Sequence, residues 1–433
     1  MKNKLGRFQV LVSFLCMFVV FIQIGSAQEL KTITMEEALQ QVFEESLSHN
    51  LLRREHDLTK KQYGLNKQPN LNLTAIPMEN INGDWKTPRG SLDLSIPLAR
   101  GLDLSGILSF EASRKGIDTK PSASLSLNYS LFKVEEDNTP LWDRELLTQE
   151  NALVLQTFSL LVNLRETLDR QLVEKAEYEL LKLKLDAALL IPDFDTADLK
   201  RQFKAKNTEL EDIEASLAKQ QRELAMLLGI DGSVNYNPHL NVNDLELVLT
   251  LEEYKDELFT FSSKWQRANS DLETAHKKLR NHRLSLGWDV VANGEVNLDE
   301  WKVGLFASKP LYPQRVIGEE LELLVDKNEL GLVETKNSLE DSLQNALRTI
   351  ESEKHNLETQ RELLDEVKED YSLAERKFKA GLINDFQLSE AKIMLKRAEL
   401  KYEHSKFAYG QSILNLWNLV GRNLRLSFVE VVN

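Results

Sequence analysis

At 433 residues the chain is long enough for two or more domains. With only 18 glycines and 10 prolines it is not a loop-rich all-β fold, a collagen or a Pro-rich linker. Its apolar residues, 42% of the total, are too many and too regularly spaced for a disordered chain. The net charge of −14 argues against a nucleic-acid partner, which requires clustered positive charge to displace counterions.

Lys2, Lys4 and Arg7 precede an apolar run from Phe8 to Ile24, and Gly25-Ser26-Ala27 follows with small residues where a signal peptidase cuts. This three-part layout predicts a signal peptide over 1–27 and an exported mature chain. The only cysteine, Cys16, lies inside the apolar run behind Leu15, where a lipidation site needs a small residue. The mature chain therefore has no disulfide and no thiolate metal site. No later stretch has the length of a membrane helix, so a membrane could be crossed only by strands closed into a barrel.

From Gln28 onward the chain is written twice. Thr34-Met35-Glu36-Glu37 and Thr250-Leu251-Glu252-Glu253 are both capping boxes, each predicted to open a helix of about 30 residues. Leu190-Ile191-Pro192-Asp193-Phe194 matches Leu382-Ile383-Asn384-Asp385-Phe386 at an offset of 192, and the same offset sets Leu227-Leu228-Gly229 on Leu419-Val420-Gly421. The two repeats are 28–230 and 250–421, each reading helix, strands, long helix, tip, long helix. A polar, turn-rich linker at 231–249 joins them, and 422–433 form a tail.

Between the entry helix and the long helices, the apolar pattern changes to period two. Leu71-Asn72-Leu73, Ser91 to Ile96, Leu102-Asp103-Leu104 and Ser124 to Tyr129 alternate, and Trp301 to Leu305 alternates less cleanly. The strand regions are placed at 71–132 and at 284–312, bounded by Leu131-Phe132 and by Leu284-Ser285-Leu286 and Leu311-Tyr312. The first is about twice as long, with room for an extra hairpin (Ser91–Leu98 with Leu102–Glu111) or a long external loop. One apolar and one polar face suits a membrane barrel or a soluble sandwich. Trp85, Trp142, Trp288 and Trp301, beside these segments, suit interfacial belts.

The helices that follow are long. No proline occurs after Pro313 and no glycine between Gly331 and Gly381, so one helix is predicted from about Glu319 to Lys379. Its apolar residues Leu343, Ile350, Leu357, Leu364, Tyr371 and Phe378 recur every seven positions, the period of a left-handed coiled coil. Its counterpart runs from about Asp143 to Leu189. Partner helices at about Thr196–Leu228 and Leu388–Val420 fold back against the pair as antiparallel hairpins. The fold class is mainly α with β.

No catalytic constellation is present. The seven histidines are dispersed, and there is no His-Glu-x-x-His, no phosphate-binding Gly-rich loop and no Gly-x-Ser-x-Gly. No enzyme activity, cofactor or metal site is expected.

The doubled layout, export signal, long helices and amphipathic strands together resemble the TolC-type outer-membrane efflux protein family, most closely from Phe378-Lys379-Ala380-Gly381-Leu382 through Gly421. The resemblance implies a homotrimer in which four strands from each protomer form one shared transmembrane β-barrel and the helices a periplasmic tunnel. Sharing between chains also follows from size, since one protomer has too few strands to close an open barrel. It implies outer-membrane lipid, a periplasmic adaptor protein and an inner-membrane transporter as partners. The function implied is an outer-membrane channel-tunnel of a tripartite efflux or type I secretion system. The adaptor-docking tips fall on Leu190, Ile191, Gly381, Leu382 and Ile383. The periplasmic entrance falls on Asp195, Asp198, Phe378, Gln387 and Glu390. Two rivals are a periplasmic adaptor, which has one hairpin where this chain has two, and an exported coiled-coil scaffold without a pore, which has no need of amphipathic strands.

Overall fold

Both capping boxes form. The computed structural model describes residues 31–429 except 66–69, 77–78, 82–83, 87–88, 100–101, 112–121, 131–138, 192–194, 231–233, 243–244, 246, 248, 286–287, 298–300 and 310–313. The expected signal peptide and the bounding residues Leu131, Phe132, Leu286, Leu311 and Tyr312 lie outside the described residues, as do Pro192, Asp193 and Phe194 of the first tip.

A short strand β1 (Lys31–Thr34) leads into α1 (Met35–Glu44) and α2 (Leu47–Leu65). Strands β2 (Asn70–Ile76), β3 (Glu79–Ile81), β4 (Asp84–Lys86), β5 (Arg89–Ala99), β6 (Leu102–Glu111) and β7 (Ser122–Ser130) follow. The first hairpin is α3 (Thr139–Leu189) with α4 (Ala197–Leu228). After β8 (Tyr236–His239), α5 (Leu251–Phe261) and α6 (Ser263–Ser285) open the second half, followed by β9 (Asp289–Asn297) and β10 (Trp301–Ser308). The second hairpin is α7 (Gln314–Lys379) with α8 (Asp385–Leu419), and α9 (Leu424–Val429) ends the described chain. At 66 residues α7 is roughly 100 Å long. Its heptad residues Leu343, Ile350 and Leu364 are buried.

Each expected entry helix is in fact two. Thr34 accepts from the Glu37 N–H at 3.2 Å, and Thr250 from the Glu253 N–H at 3.4 Å, but the helices break at Glu45-Ser46 and at Ser262. Both breaks lie against the end of a hairpin. Each hairpin ends in a Schellman turn on a left-handed glycine, Gly229 (φ 74°) and Gly421 (φ 82°). Each glycine presses onto a break. A Cβ on Gly229 would lie 2.7 Å from the Glu45 carbonyl oxygen, and one on Gly421 2.7 Å from that of Phe261. The second strand region also begins later than expected. Leu284 and Ser285 are the last turns of α6, whose basic end (His282, Arg283) suits the helix dipole.

The linker is not merely a turn. β8 pairs in parallel with β1, Ile33 opposite Pro238, and Tyr236 is buried. The buried Gln221 amide donates to the Tyr236 carbonyl at 2.7 Å and accepts from its N–H at 2.8 Å. The tail is pinned the same way. Buried Asn151 donates to the Arg422 carbonyl at 2.6 Å and accepts from the Leu424 N–H at 3.0 Å, while Arg422 makes two hydrogen bonds to Glu257 at 2.8 and 2.9 Å. Linker, tail and helix breaks thus share one core with Phe158, Leu224, Leu258, Leu343 and Trp417.

Gly229→Ala and Gly421→Ala are each expected to lower stability by about 2–4 kcal/mol, because left-handed strain adds to a backbone clash. Gly381→Ala, whose Cβ would meet nothing within 4 Å, should cost only about 1 kcal/mol. Loss of helical circular dichroism on heating in detergent ranks the three.

Candidate functional site

Six strands form one antiparallel sheet in the order β10-β9-β7-β6-β5-β2, and β3 and β4 form a separate small hairpin. This sheet has six strands where the resemblance implies four, and the longer first region supplies the extra hairpin that its length left room for. The extra pair is the β5–β6 hairpin, with Ser91 opposite Ser109 and Ile96 opposite Leu104. Strict alternation over Ser91–Ile96 and Leu102–Ser105 sets its faces, and at 11 and 10 residues the two strands are long enough for a tilted strand to cross a bilayer.

The register sorts side chains by chemistry. Leu73, Leu92 and Leu108 lie in one cross-strand row. Leu104 and Leu127 lie in another, and Leu125, Val296 and Trp301 in a third. All are on one face. Asn72, Asp93, Asp103, Ser105, Ser126 and Asn293 occupy the other, where the Ser105 and Ser126 hydroxyls meet at 2.6 Å; its apolar positions include Ile107, Val291 and Phe306. Among the described residues no helix lies across either face. The apolar face is consequently bare, with Val303 78% and Leu73 68% exposed. Bare apolar area of this extent marks contact with a partner or a membrane. The tryptophans sit toward both ends: Trp142 and Trp288 beside the helices, Trp85 and Trp301 at the far end. No described helix is long and apolar enough to cross a membrane.

At the opposite end of the hairpins, the second tip reverses in a few residues. The Gly381 N–H donates to the Phe378 carbonyl and the Leu382 N–H to the Lys377 carbonyl, both at 2.9 Å, with Gly381 left-handed at φ 72°. Asn384 then caps α8 in a third capping box, with Gln387 as the reciprocal residue. Leu382 is left 74% exposed, and Ile383 is half-buried. In the first tip Leu190 is 84% exposed and Ile191 projects beside it.

The expected entrance residues are placed but not gathered. The Asp195 carboxylate accepts from the Ala197 N–H at 2.9 Å, and Asp198 from the Gln202 amide at 2.8 Å. Gln387 is used in the capping box, and Phe378 lies half-exposed on the last turn of α7. Glu390 reaches across to an ion pair with Lys184 of α3. Among the described residues no hydrogen bond or ion pair links Asp195, Asp198 and Glu390 to one another, and no cluster could hold a metal ion.

Farther along the hairpins is a charged clamp that period and motif did not reveal. Lys206 of α4 pairs with Glu174 and Glu177 of α3, the latter at 2.9 Å, and with Glu209 at 3.0 Å. Arg397 of α8 reaches Glu177 at 2.6 Å, and Arg170 reaches Glu209 at 2.8 Å. Burial pulls the Lys206 ammonium down, but its hydrogen bonds to Glu174, Glu177 and Glu209 outweigh that and hold its pKa above the ordinary lysine value. Arg170 first, then Lys206, hold Glu209 below its ordinary range. In sequence these residues are indistinguishable from other helix-surface charges; only the packing of three helices selects them.

The chain shares its architecture with solved structures of outer-membrane channels. The open-state MtrE outer membrane channel of Neisseria gonorrhoeae aligns at 12% identity with a TM-score of 0.61, over 90% of this chain and 89% of that one. The Campylobacter jejuni CmeC outer membrane channel aligns at 11% identity and 0.60, over 92% and 88%. The outer membrane protein VceC from Vibrio cholerae aligns at 12% and 0.59, over 90% and 96%. The chain has the fold of the TolC-type outer-membrane channels. No family model and no curated protein matches it by sequence. Within the TolC-type fold, the bare sheet and the exposed tips are the two ends of the molecule, and the clamp ties the hairpins together between them.

Lys206→Met would leave Glu174, Glu177 and Glu209 with one cation fewer and should cost about 2–4 kcal/mol. The pH dependence has a definite sign. The Glu209 contribution is complete above its ordinary value and is lost as pH falls through the depressed one; that of Lys206 is complete below the ordinary lysine value and is lost only as pH rises past the raised one. Melting of the wild type should therefore weaken first on the acid side, below about pH 5, and the gap to Lys206→Met should narrow there.

Proposed function

We propose that the protein is the outer-membrane channel-tunnel of a tripartite efflux or type I secretion system, exporting small molecules or proteins across the periplasm and the outer membrane. The observation that carries this reading is the single-layer amphipathic sheet, apolar and uncovered on one face, at one end of two long helical hairpins. A soluble sandwich would lay a second layer over that face. Lipid covers it here, and the serine- and asparagine-rich face lines a watery bore. The protein is a homotrimer, with its helices in the periplasm and its sheet in the outer membrane. The tips, Leu190, Ile191, Gly381, Leu382 and Ile383, dock a periplasmic adaptor that couples the tunnel to an inner-membrane transporter. The doubled tip speaks against an adaptor, and the bare sheet against a pore-less scaffold.

The mature protein should sediment with outer membrane, require detergent for extraction and conduct ions in planar bilayers; a freely soluble, non-conducting protein would refute the reading. Leu382→Ala with Ile383→Ala should abolish transport while the assembled complex keeps its size on gel filtration. Replacing Asp195 and Asp198 by Asn and Glu390 by Gln should weaken block of single-channel current by divalent cations. Because Lys184 already offsets Glu390, the two aspartates should carry most of that effect.

A further inference from the structure

α2 leans on α3 with its charged side. Its leucines Leu47, Leu51 and Leu58 are exposed, while His49, Arg53, His56 and Lys60, spaced by four, three and four, share one helical face. That face meets two carboxylates seven residues apart on α3. One oxygen of Glu150 takes both His49 Nε2 at 3.1 Å and Arg53 Nε at 3.4 Å. One oxygen of Asp143 takes both His56 Nε2 at 3.0 Å and the Lys60 ammonium. In each case a permanent cation already answers the carboxylate that the histidine uses.

The two histidines differ in their second nitrogen. His56 Nδ1 lies 3.8 Å from the Asp57 carboxylate. His49 is only 1% exposed, and its Nδ1 is buried with no hydrogen-bond partner in the protein; among the described residues no other histidine is in this condition. An ionised carboxylate only accepts, so the Nε2 that faces Glu150 carries the proton and Nδ1 is bare. The Ser46 hydroxyl, in the same turn, is also buried and unpaired, so it does not bond to His49.

A matching position elsewhere in the chain holds a ring that cannot titrate. Counted from the capping-box threonines Thr34 and Thr250, Phe43 matches Phe259 and His49 matches Trp265. Phe43 and His49 meet edge-on with centroids 4.7 Å apart, and Phe259 and Trp265 do the same at 4.9 Å. Packing alone is therefore met by an apolar ring, and the histidine adds a proton site to it. The charged groups around His49 are Glu150 of α3, Arg53 of α2 and Arg425 of α9, whose guanidinium lies over the Phe43 ring at 4.6 Å. Glu44 and Glu45, at the end of α1, are exposed. A charge on the imidazole would be the third cation around one carboxylate.

We propose that His49 is an acid-sensitive latch: neutral, it docks α2 on α3, and protonated, it releases the helix. A second proton would sit on Nδ1 with no acceptor in packed protein and would set a positive charge beside Arg53. The cost disappears once Nδ1 reaches water, which requires α2 to lift. A histidine in water titrates near pH 6.5, so docking is complete above about that value and weakens as pH falls below it. α2 carries the chain from the convergent core to β2, so acid loosens the connection between core and sheet. All the contacts lie within one chain, and the inference does not rest on the channel reading.

Hydrogen exchange tests it, read by mass spectrometry on the purified full-length protein in detergent. Exchange is compared at about pH 7.5 and about pH 5.5, either side of the ordinary histidine value, after correction for the intrinsic effect of pH on amide exchange. Amides of α2 should exchange about tenfold faster at the lower pH, the size expected of one unmet buried donor. Those of α6, which carries Trp265, should not change and serve as the internal control. His49→Gln keeps a donor for Glu150 but takes up no proton, and His49→Trp copies the matching position; both should remove the difference. The readout is the ratio between the two pH values, so a variant that loosens α2 equally at both still reports. His56→Gln should retain the difference. Equal acceleration of α2 and α6, no acceleration of α2, or slower exchange of α2 at the lower pH would each overturn the inference. So would a pH response that survives in either His49 variant, or one that is lost in His56→Gln.

Discussion

A peptide group cannot be left without a hydrogen-bond partner in hydrocarbon, and the rest of this structure is organised around that constraint. Where no described helix is fit to cross a bilayer, the described backbone can be satisfied there only through strands that pair on both sides. The six-stranded sheet meets most of the demand internally, and the alternation of leucine with serine, asparagine and aspartate assigns its two faces. What one chain leaves unmet is confined to two edges. A single copy is in this sense an unfinished object, and its bare apolar face and its edges are two aspects of the same fact.

The helical part obeys a different rule. Long two-helix hairpins cannot bury a seam deep enough to hold themselves together, so their stability depends on where they converge. That place is the core formed by the helix breaks, the linker strand and the tail. Two buried amides, Gln221 and Asn151, pin irregular backbone by pairing with both its donor and its acceptor. Such bonds are worth most where water is absent, because an unpaired buried group costs more than the bond itself contributes. Two left-handed glycines let the hairpin ends press onto the entry-helix breaks without a side chain between them. The same arrangement occurs at Gly229 and at Gly421.

Away from the core, charge adds to a thin apolar seam that includes Val173, Leu180, Leu210, Leu364 and Leu400. The Lys206 clamp joins α3 and α4, and Arg397 extends it to α8. Being partly buried, these pairs are screened less than surface pairs. At the second tip the Schellman turn on Gly381 and the Asn384 capping box complete their own backbone hydrogen bonds and leave Leu382 outward. A turn that is self-sufficient in backbone bonding can present apolar side chains to a partner without losing its shape.

The sequence by itself determined whatever depends on near neighbours in the chain: capping boxes at Thr34 and Thr250, the seven-residue period of α7, the alternation of β5 to β7, and the Gly381 turn. These are local because a helix pairs its backbone four residues away and a strand sorts its faces every two. Only the tertiary structure decided that the entry helices break, that Leu284 and Ser285 stay helical, that six strands rather than four join one sheet, and that Lys206, Glu174 and Arg397 meet. Each of these turns on groups far apart in sequence, such as Gly229 against Glu45 or β7 beside β9, and their energies depend on what packing brings within a few ångströms rather than on any spacing along the chain.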